Sequence, residues 1–116
     1  MPVKLLIVDD HPSFRSAARL LLEHEGFDVV GEAEDGASGI AATSELCPDV
    51  VLLDINLPDL DGFDVASRIC LANAAPKVVL TSSRDPREFG PLVDRSGARG
   101  FVPKGELSAA RICALL

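Results

Sequence analysis

Two periodicities of apolar and polar residues alternate along this chain. Leu5-Leu6-Ile7-Val8 is continuously apolar and breaks off at Asp9-Asp10, as a short strand covered on both faces would. Beyond it, Phe14, Ala17, Ala18, Leu21 and Leu22 recur at helical spacing, opened by Pro12-Ser13 and stopped by Gly26. Residues 27–33 alternate more loosely around Val29-Val30 and predict a second strand. Residues 36–46 predict a weaker helix with Ala37, Ile40 and Ala41 inward, and Pro48 forces its end. Val50-Val51-Leu52-Leu53 then repeats the first run and again stops on an acid, Asp54.

A polar loop carrying Pro58 and Gly62 leads into a helix with Phe63, Ala66, Ser67 and Cys70 on one face. Val78-Val79-Leu80 is the fourth apolar run, followed by Thr81-Ser82-Ser83. Phe89, Leu92 and Val93 predict a short helix closed by Gly97. Phe101-Val102 predicts a brief fifth strand before Lys104, and residues 107–116 a last helix with a frayed end. Strands separated by single helices pair in parallel through right-handed crossovers. The fold class expected is therefore α/β, a doubly wound five-stranded parallel sheet with helices on both faces. Ligands of such sheets sit beyond the carboxyl ends of the strands, and the polar residues gather there: Asp9 and Asp10, Asp54, Thr81 and Lys104.

A length of 116 residues fits one domain, expected over residues 1–116. Aromatics are 4% of the chain, so the core must be aliphatic. Eighteen acids against eleven bases give a net charge of -7, the wrong sign for a stand-alone phosphate-backbone binder. Cys47, Cys70 and Cys113 are an odd count without CxxC pairing, which predicts reduced, buried thiols and no zinc site. No apolar run approaches the roughly 18 residues of a membrane span, and Met1-Pro2-Val3-Lys4 lacks the long apolar stretch of a signal peptide. A cytoplasmic location without membrane partners is expected.

Three carboxylates converging on one sheet edge repel one another unless a cation joins them. Oxygen donors call for a hard ion such as Mg²⁺, which leaves positions open for phosphate oxygens. A lysine and a hydroxyl facing the same point suit a phosphoryl group, and a carboxylate can accept that group as an acyl phosphate. Mg²⁺-dependent phosphoryl transfer onto an aspartate is the chemistry that fits. His11 reads as an exposed helix-entry residue, Asp59, Asp61 and Asp64 as turn and helix-start residues, and Phe14 as core packing.

LLIVDDHPSFR, VVLLDINLPDLDGFD, VVLTSS and GARGFVPK, in that order, resemble the four signature blocks of the response-regulator receiver domain of two-component signalling. The resemblance runs from Lys4 to about Leu116. It implies the strand order 2-1-3-4-5. Residue by residue, it implies Asp54 as the phosphoacceptor and Asp9 and Asp10 as the acidic pair that holds Mg²⁺. The Asn56 carbonyl falls at the further metal position. Asp10, Asp54 and Asn56 would bind the ion directly, and Asp9 mainly through water. Thr81 falls at the switch hydroxyl, Phe101 at the switch aromatic and Lys104 at the phosphoryl-contacting lysine.

The implied partners are a sensor histidine kinase and an output protein or a second copy of the chain. DDHP and GFVPK are similar to the subfamily whose receivers precede a helix-turn-helix domain, so DNA becomes a partner only where such a domain follows. The chain would be a self-phosphorylating phosphoacceptor with slow autodephosphorylation and not a turnover enzyme. Gly105 stands where proline often follows the lysine, and a cis bond there would cost roughly 3 kcal/mol. Ser82 replaces a small apolar residue. Two other readings remain open: a degenerate receiver acting as a binding scaffold, and a haloacid-dehalogenase-like aspartyl phosphatase. The latter wants an acid two residues after its nucleophile, where this chain has Asn56.

Overall fold

In the computed structural model, which describes residues 2–72 and 74–116, every apolar run named above becomes a strand of one sheet. Met1, where the expected domain begins, and Asn73 lie outside the described residues. The strands are β1 (Lys4–Val8), β2 (Asp28–Ala33), β3 (Val50–Asp54), β4 (Lys77–Ser82) and β5 (Gly100–Pro103). The helices are α1 (Pro12–His24), α2 (Gly36–Leu46), α3 (Gly62–Cys70), α4 (Leu92–Arg95) and α5 (Ala109–Cys113). All pairings are parallel and the order is β2-β1-β3-β4-β5, the topology that the resemblance implied.

Period-two alternation divides the strand residues between two cores. Leu6, Val8, Val51, Leu53, Val78 and Leu80 face α2, α3 and Phe89. Leu5, Ile7, Val50, Leu52, Val79 and Val102 face α1 and α5. Each fully buried aliphatic side chain contributes about 1.5–3 kcal/mol of transfer free energy. This double coverage holds the ends of β1 and β3 rigidly side by side.

The helices bury only part of each face that the spacing selected. In α1 the inward positions are Ala18 and Leu22 with Phe14 half-buried, while Ala17 and Leu21 are exposed. Arg15 and Arg19 turn toward β2 and ion-pair with Glu32 there. In α2 the buried positions are Gly36 and Gly39, with Ala37 and Ala41 exposed. A Cβ on Gly39 would stand 2.8 Å from Val8 Cγ1, so the helix approaches the sheet through this glycine, with Ile40 and Ala42 half-buried against the same core. In α3, Val65, Ala66 and Ile69 form the buried face.

Phe89 is buried but precedes α4, which is a single turn. The expected helix over 107–116 shortens to α5 because Lys104–Glu106 forms a 3-10 turn, Leu107 is extended and the Ser108 hydroxyl caps Arg111 N–H. The cysteines are free, but they are not buried: Cys47 and Cys113 are exposed and Cys70 is part-buried. Cys47 ends α2 in the left-handed conformation and Cys113 ends α5, so both lie outside the aliphatic core. The Lys104–Gly105 peptide is trans, as are all those described.

Gly62 is the glycine that the site depends on. A Cβ there would meet Ile55 Cα at 2.5 Å and the Asp54 carbonyl oxygen at 2.7 Å, both of them backbone atoms. Gly62→Ala should therefore destabilise the fold by roughly 1–3 kcal/mol, through forced movement of the β3 end. Gly105→Ala, with nothing within 4 Å of its Cβ, should stay within about 0.5 kcal/mol of the parent. Urea unfolding of both variants checks this, and equal midpoints would rule out the close approach at Gly62.

Candidate functional site

Every strand of a parallel sheet ends on the same edge, so residues far apart in sequence meet there. At the end of β1 the chain is clamped from two sides: Asp9 N–H donates to Ala33 O at 3.0 Å, and Arg15 Nη1 donates to Asp9 O at 2.6 Å. The Asp9 side chain is fully buried. Its Oδ1 accepts from the His11 backbone N–H at 2.8 Å and lies 2.9 Å from His11 Nδ1. Its Oδ2 lies 2.7 Å from Lys104 Nζ. Asp10 is more open, with Oδ1 3.1 Å from the same His11 nitrogen.

Asp54 closes β3 with only 1% of its surface exposed. Its Oδ1 accepts from Asn56 N–H at 3.1 Å, and its Oδ2 stands 3.4 Å from Lys104 Nζ and 3.9 Å from His11 Nδ1. Burial pushes its carboxyl up from 3.8 to about 6. The Asn56 N–H opposes that rise, the Asp9 charge adds to it, and Lys104 also opposes it. Lys104 arrives on the turn after β5 with its ammonium 4.4 Å above the Phe14 ring, a cation–π seat that steadies it between the two acids.

The donor set fits a hard divalent cation. Asp9 Oδ2 and Asp10 Oδ1 are buried oxygens that accept no hydrogen bond, and Lys104 approaches the former as a charge outside hydrogen-bond geometry. One ammonium shared by two acids leaves the Asp9–Asp10–Asp54 group short of positive charge. A cleft of about 490 Å³, lined by Asp10, Asn56, Asp61 and Arg84 among others, opens this edge to solvent.

The structure thus gathers Asp9, Asp10, Asp54 and Lys104 at one point, with Asn56 alongside. It treats two other expected residues differently. Thr81 pairs with Asp54 in the sheet, but its buried hydroxyl donates to Val102 O at 2.7 Å. Phe101 is half-buried against Phe89, ring centroids 5.6 Å apart, with Phe63 packed on the far side of Phe89 at 5.7 Å. His11 does stand exposed at the entry to α1, and its Nδ1 also reaches the acids, a second role that the sequence reading passed over. Phe14 is likewise more than packing.

Ser82 is buried, with its hydroxyl accepting from Asn56 Nδ2 at 3.3 Å and from Arg84 N–H at 3.1 Å. A polar residue at a buried strand position was the available signal. Asp61 caps α3 through Phe63 N–H, as expected of a helix-start residue. Asp59 reaches further and accepts from Gly36 and Ala37 N–H at the start of α2.

The raised Asp54 carboxyl has a definite effect on stability. The folded chain holds this proton up to about pH 6, whereas an unfolded aspartate releases it near 4. In metal-free buffer the ionised Asp54 therefore costs stability above pH 6, and the cost fades as pH falls toward 4. Asp54→Asn should be more stable than the parent by roughly 1–3 kcal/mol at pH 7.5 and nearly equal to it at pH 4.5. Thermal melts with chelator at both pH values check this, and a pH-independent difference would contradict it.

The family described as the response regulator receiver domain matches residues 5–116. BvgA of Bordetella pertussis is 42% identical over 103 residues, which cover 89% of this chain and 49% of that protein. The chemotaxis protein CheY of Listeria monocytogenes is 35% identical over 104 residues, covering 88% of this chain and 86% of that one. The solved signal receiver domain of NarL from Mycobacterium tuberculosis superposes with a TM-score of 0.87 at 32% identity, covering 98% of this chain and 96% of that one. The chain spans about half the length of the first relatives it matches, BvgA among them. A parallel sheet in the order 2-1-3-4-5, with acids and a lysine meeting at its carboxyl edge, and a family match over nearly the whole chain place this protein among the response regulator receiver domains of two-component systems.

Proposed function

We propose that residues 1–116 form one receiver unit in which Asp54 accepts a phosphoryl group from a phosphohistidine of a sensor kinase, or from a small acyl phosphate. The observation that carries this reading is the placement of Lys104 Nζ, 2.7 Å from Asp9 Oδ2 and 3.4 Å from Asp54 Oδ2. An ammonium held there can follow the charge as it moves from carboxylate to phosphoryl oxygens. In the transfer, an Asp54 oxygen forms its bond to phosphorus as the bond from phosphorus to the donor nitrogen breaks. The leaving imidazole keeps the electron pair and takes a proton from solvent. Asn56 N–H fixes Oδ1, and the other oxygen, Oδ2, stands toward Lys104 Nζ. Asp10, Asp54 and the Asn56 carbonyl would hold Mg²⁺, which would supply the positive charge that lets an anionic donor approach three acids. The group is passed on or hydrolysed slowly, so the chain acts as an acceptor and not as a turnover enzyme.

The output reading rests on Thr81 and Phe101. A phosphoryl oxygen competes with Val102 O for the Thr81 hydroxyl, and movement of Thr81 makes room for the Phe101 ring, which carries no polar group to desolvate. The segment between them offers little resistance. Only Phe89 and Ser96 are buried between residues 83 and 97, and Leu92 is 44% exposed. A partner protein or a second copy reads the altered surface of α4 and β5, and DNA enters only through a further domain. A cytoplasmic setting goes with this role, and no helix among the described residues is long and apolar enough to cross a membrane.

Incubation with a small acyl phosphate and Mg²⁺ should add one phosphoryl mass to the intact chain. Asp54→Asn should abolish the addition, and Lys104→Ala should slow it by at least tenfold. Retention of the added mass in Asp54→Asn would refute the assignment. In a separate measurement, saturating fluoroberyllate should change amide exchange between Thr81 and Phe101. Unchanged protection there would leave phosphorylation intact as a reading and remove the switch.

A further inference from the structure

Asp59 does more in the loop after β3 than turn the chain. Its Oδ1 accepts from Gly36 N–H at 2.7 Å and its Oδ2 from Ala37 N–H at 3.0 Å, across 23 and 22 residues of sequence. Helix α2 does not need this carboxylate in order to start. Asp35 Oδ1 already accepts from Ser38 N–H at 2.8 Å, and the Ser38 hydroxyl accepts from Asp35 N–H, which completes a capping box. A second carboxylate, brought to the same turn from a distant loop, is a tether. The loop also lies tight against that turn: a Cβ on Gly36 would stand 3.0 Å from Leu60 Cβ. The Gly36 and Ala37 N–H groups hold the Asp59 carboxyl below the usual carboxylate range, so it stays ionised wherever Asp54 titrates.

The tethered loop carries Asn56, three residues before Asp59. Asn56 N–H is the donor that fixes Asp54 Oδ1 at 3.1 Å, and the Asn56 carbonyl is the backbone oxygen proposed to hold the cation. Asn56 and Asp61 pair as an isolated antiparallel bridge, and Gly62 N–H donates to Ile55 O at 2.9 Å, so the base of the loop is closed. Its crest is open, with Pro58 and Asp59 exposed. Among the described residues, the grip of Asp59 on α2 is the only polar contact that ties 57–60 to another element. We infer that Asp59 is a positioning residue for the phosphorylation site. Its hold on the first turn of α2 keeps the 56–61 loop, and with it the N–H and carbonyl of Asn56, against the acids. The role rests on the reading of Asp54 as a Mg²⁺-assisted phosphoacceptor, and it adds a residue that touches neither the cation nor the phosphoryl group. Groups that orient a ligating atom in this way change metal affinity without changing the ligands.

The test compares the full chain with Asp59→Ala, Asp59→Asn and Asp35→Ala. Each is read by calorimetric titration with Mg²⁺, by amide exchange in metal-free buffer, and by its rate of phosphorylation from a small acyl phosphate at graded Mg²⁺. Asp59→Ala should weaken Mg²⁺ binding and raise the Mg²⁺ concentration for half-maximal rate, both by roughly threefold or more, while the maximal rate stays within about twofold. Exchange at the Asn56 amide should quicken by roughly threefold or more. Asp59→Asn removes the charge but keeps an oxygen for an N–H, so it should return to within about twofold of the parent in both Mg²⁺ affinity and Asn56 exchange. Asp35→Ala takes the other cap from the same helix. It should lower the melting temperature and leave Mg²⁺ affinity and Asn56 exchange within about twofold of the parent. A loss of Mg²⁺ affinity in Asp35→Ala as large as that in Asp59→Ala would overturn the role, since a weakened helix would then account for it. A loss in Asp59→Asn equal to that in Asp59→Ala would overturn it as well, leaving only an effect of charge. Unchanged Mg²⁺ affinity and Asn56 exchange in Asp59→Ala would remove the role of Asp59 and leave the phosphoacceptor reading standing. Neither Mg²⁺ binding nor phosphorylation in the parent would overturn both.

Discussion

A carboxylate buried beside a second carboxylate is the constraint around which this structure is arranged. Asp54 is the last residue of β3, Asp9 follows the end of the adjacent β1, and both lie out of water with one ammonium between them. Burial, with the neighbouring Asp9 charge adding to it, holds the Asp54 carboxyl near 6, and two buried acids sharing one base remain short of positive charge. That imbalance makes the edge receptive to a cation and to a phosphoryl donor that arrives with one. The aliphatic sheet keeps the imbalance in place. Strands packed on both faces cannot splay to let water between the acids.

The supports around the acids are mostly backbone. Asp9 is fixed through its N–H, its carbonyl and one side-chain oxygen. Asp54 is fixed through Asn56 N–H and through the close passage of Gly62 over Ile55. Lys104 hangs on a long side chain, steadied by Phe14 beneath it. The acids are thus rigid and the lysine is the adjustable element, which suits a site whose charge changes when phosphorus binds. On the α4 side the reverse holds. A single helical turn, exposed Leu92 and a three-ring contact of Phe63, Phe89 and Phe101 provide little packing to resist rearrangement.

Much of this could be read in advance, because short apolar runs such as Leu5–Val8 and Val50–Leu53, alternating with helix-period stretches, are the pattern of a doubly covered parallel sheet. Such a sheet forces their terminal acids onto one edge. What could not be read was which way each helix rolls. Helical spacing marks a stripe but not its centre, and α2 settles on Gly36 and Gly39 because only a bare backbone fits against Val8 and Leu60. The buried thiols expected at Cys47 and Cys113 failed for a related reason: apolar neighbours in sequence do not imply a place in the core when the residue ends a helix.

The sequence by itself determined the strands, their parallel order once the four motifs were matched, and the identity of the acids and lysine that meet at the edge. Strand period, acid placement and motif spacing are local properties, and they survive without coordinates. Only the tertiary structure decided that the Thr81 hydroxyl is engaged by Val102, that Ser82 ties Asn56 to Arg84, that Phe14 seats Lys104, and that His11 reaches the carboxylates. The contacts of Thr81 with Val102, Ser82 with Asn56 and Phe14 with Lys104 join residues tens of positions apart, and those of Ser82 with Arg84 and His11 with the acids turn on side-chain rotamers. Rotamer and helix roll are set by the packing of the whole fold and leave no trace in local spacing.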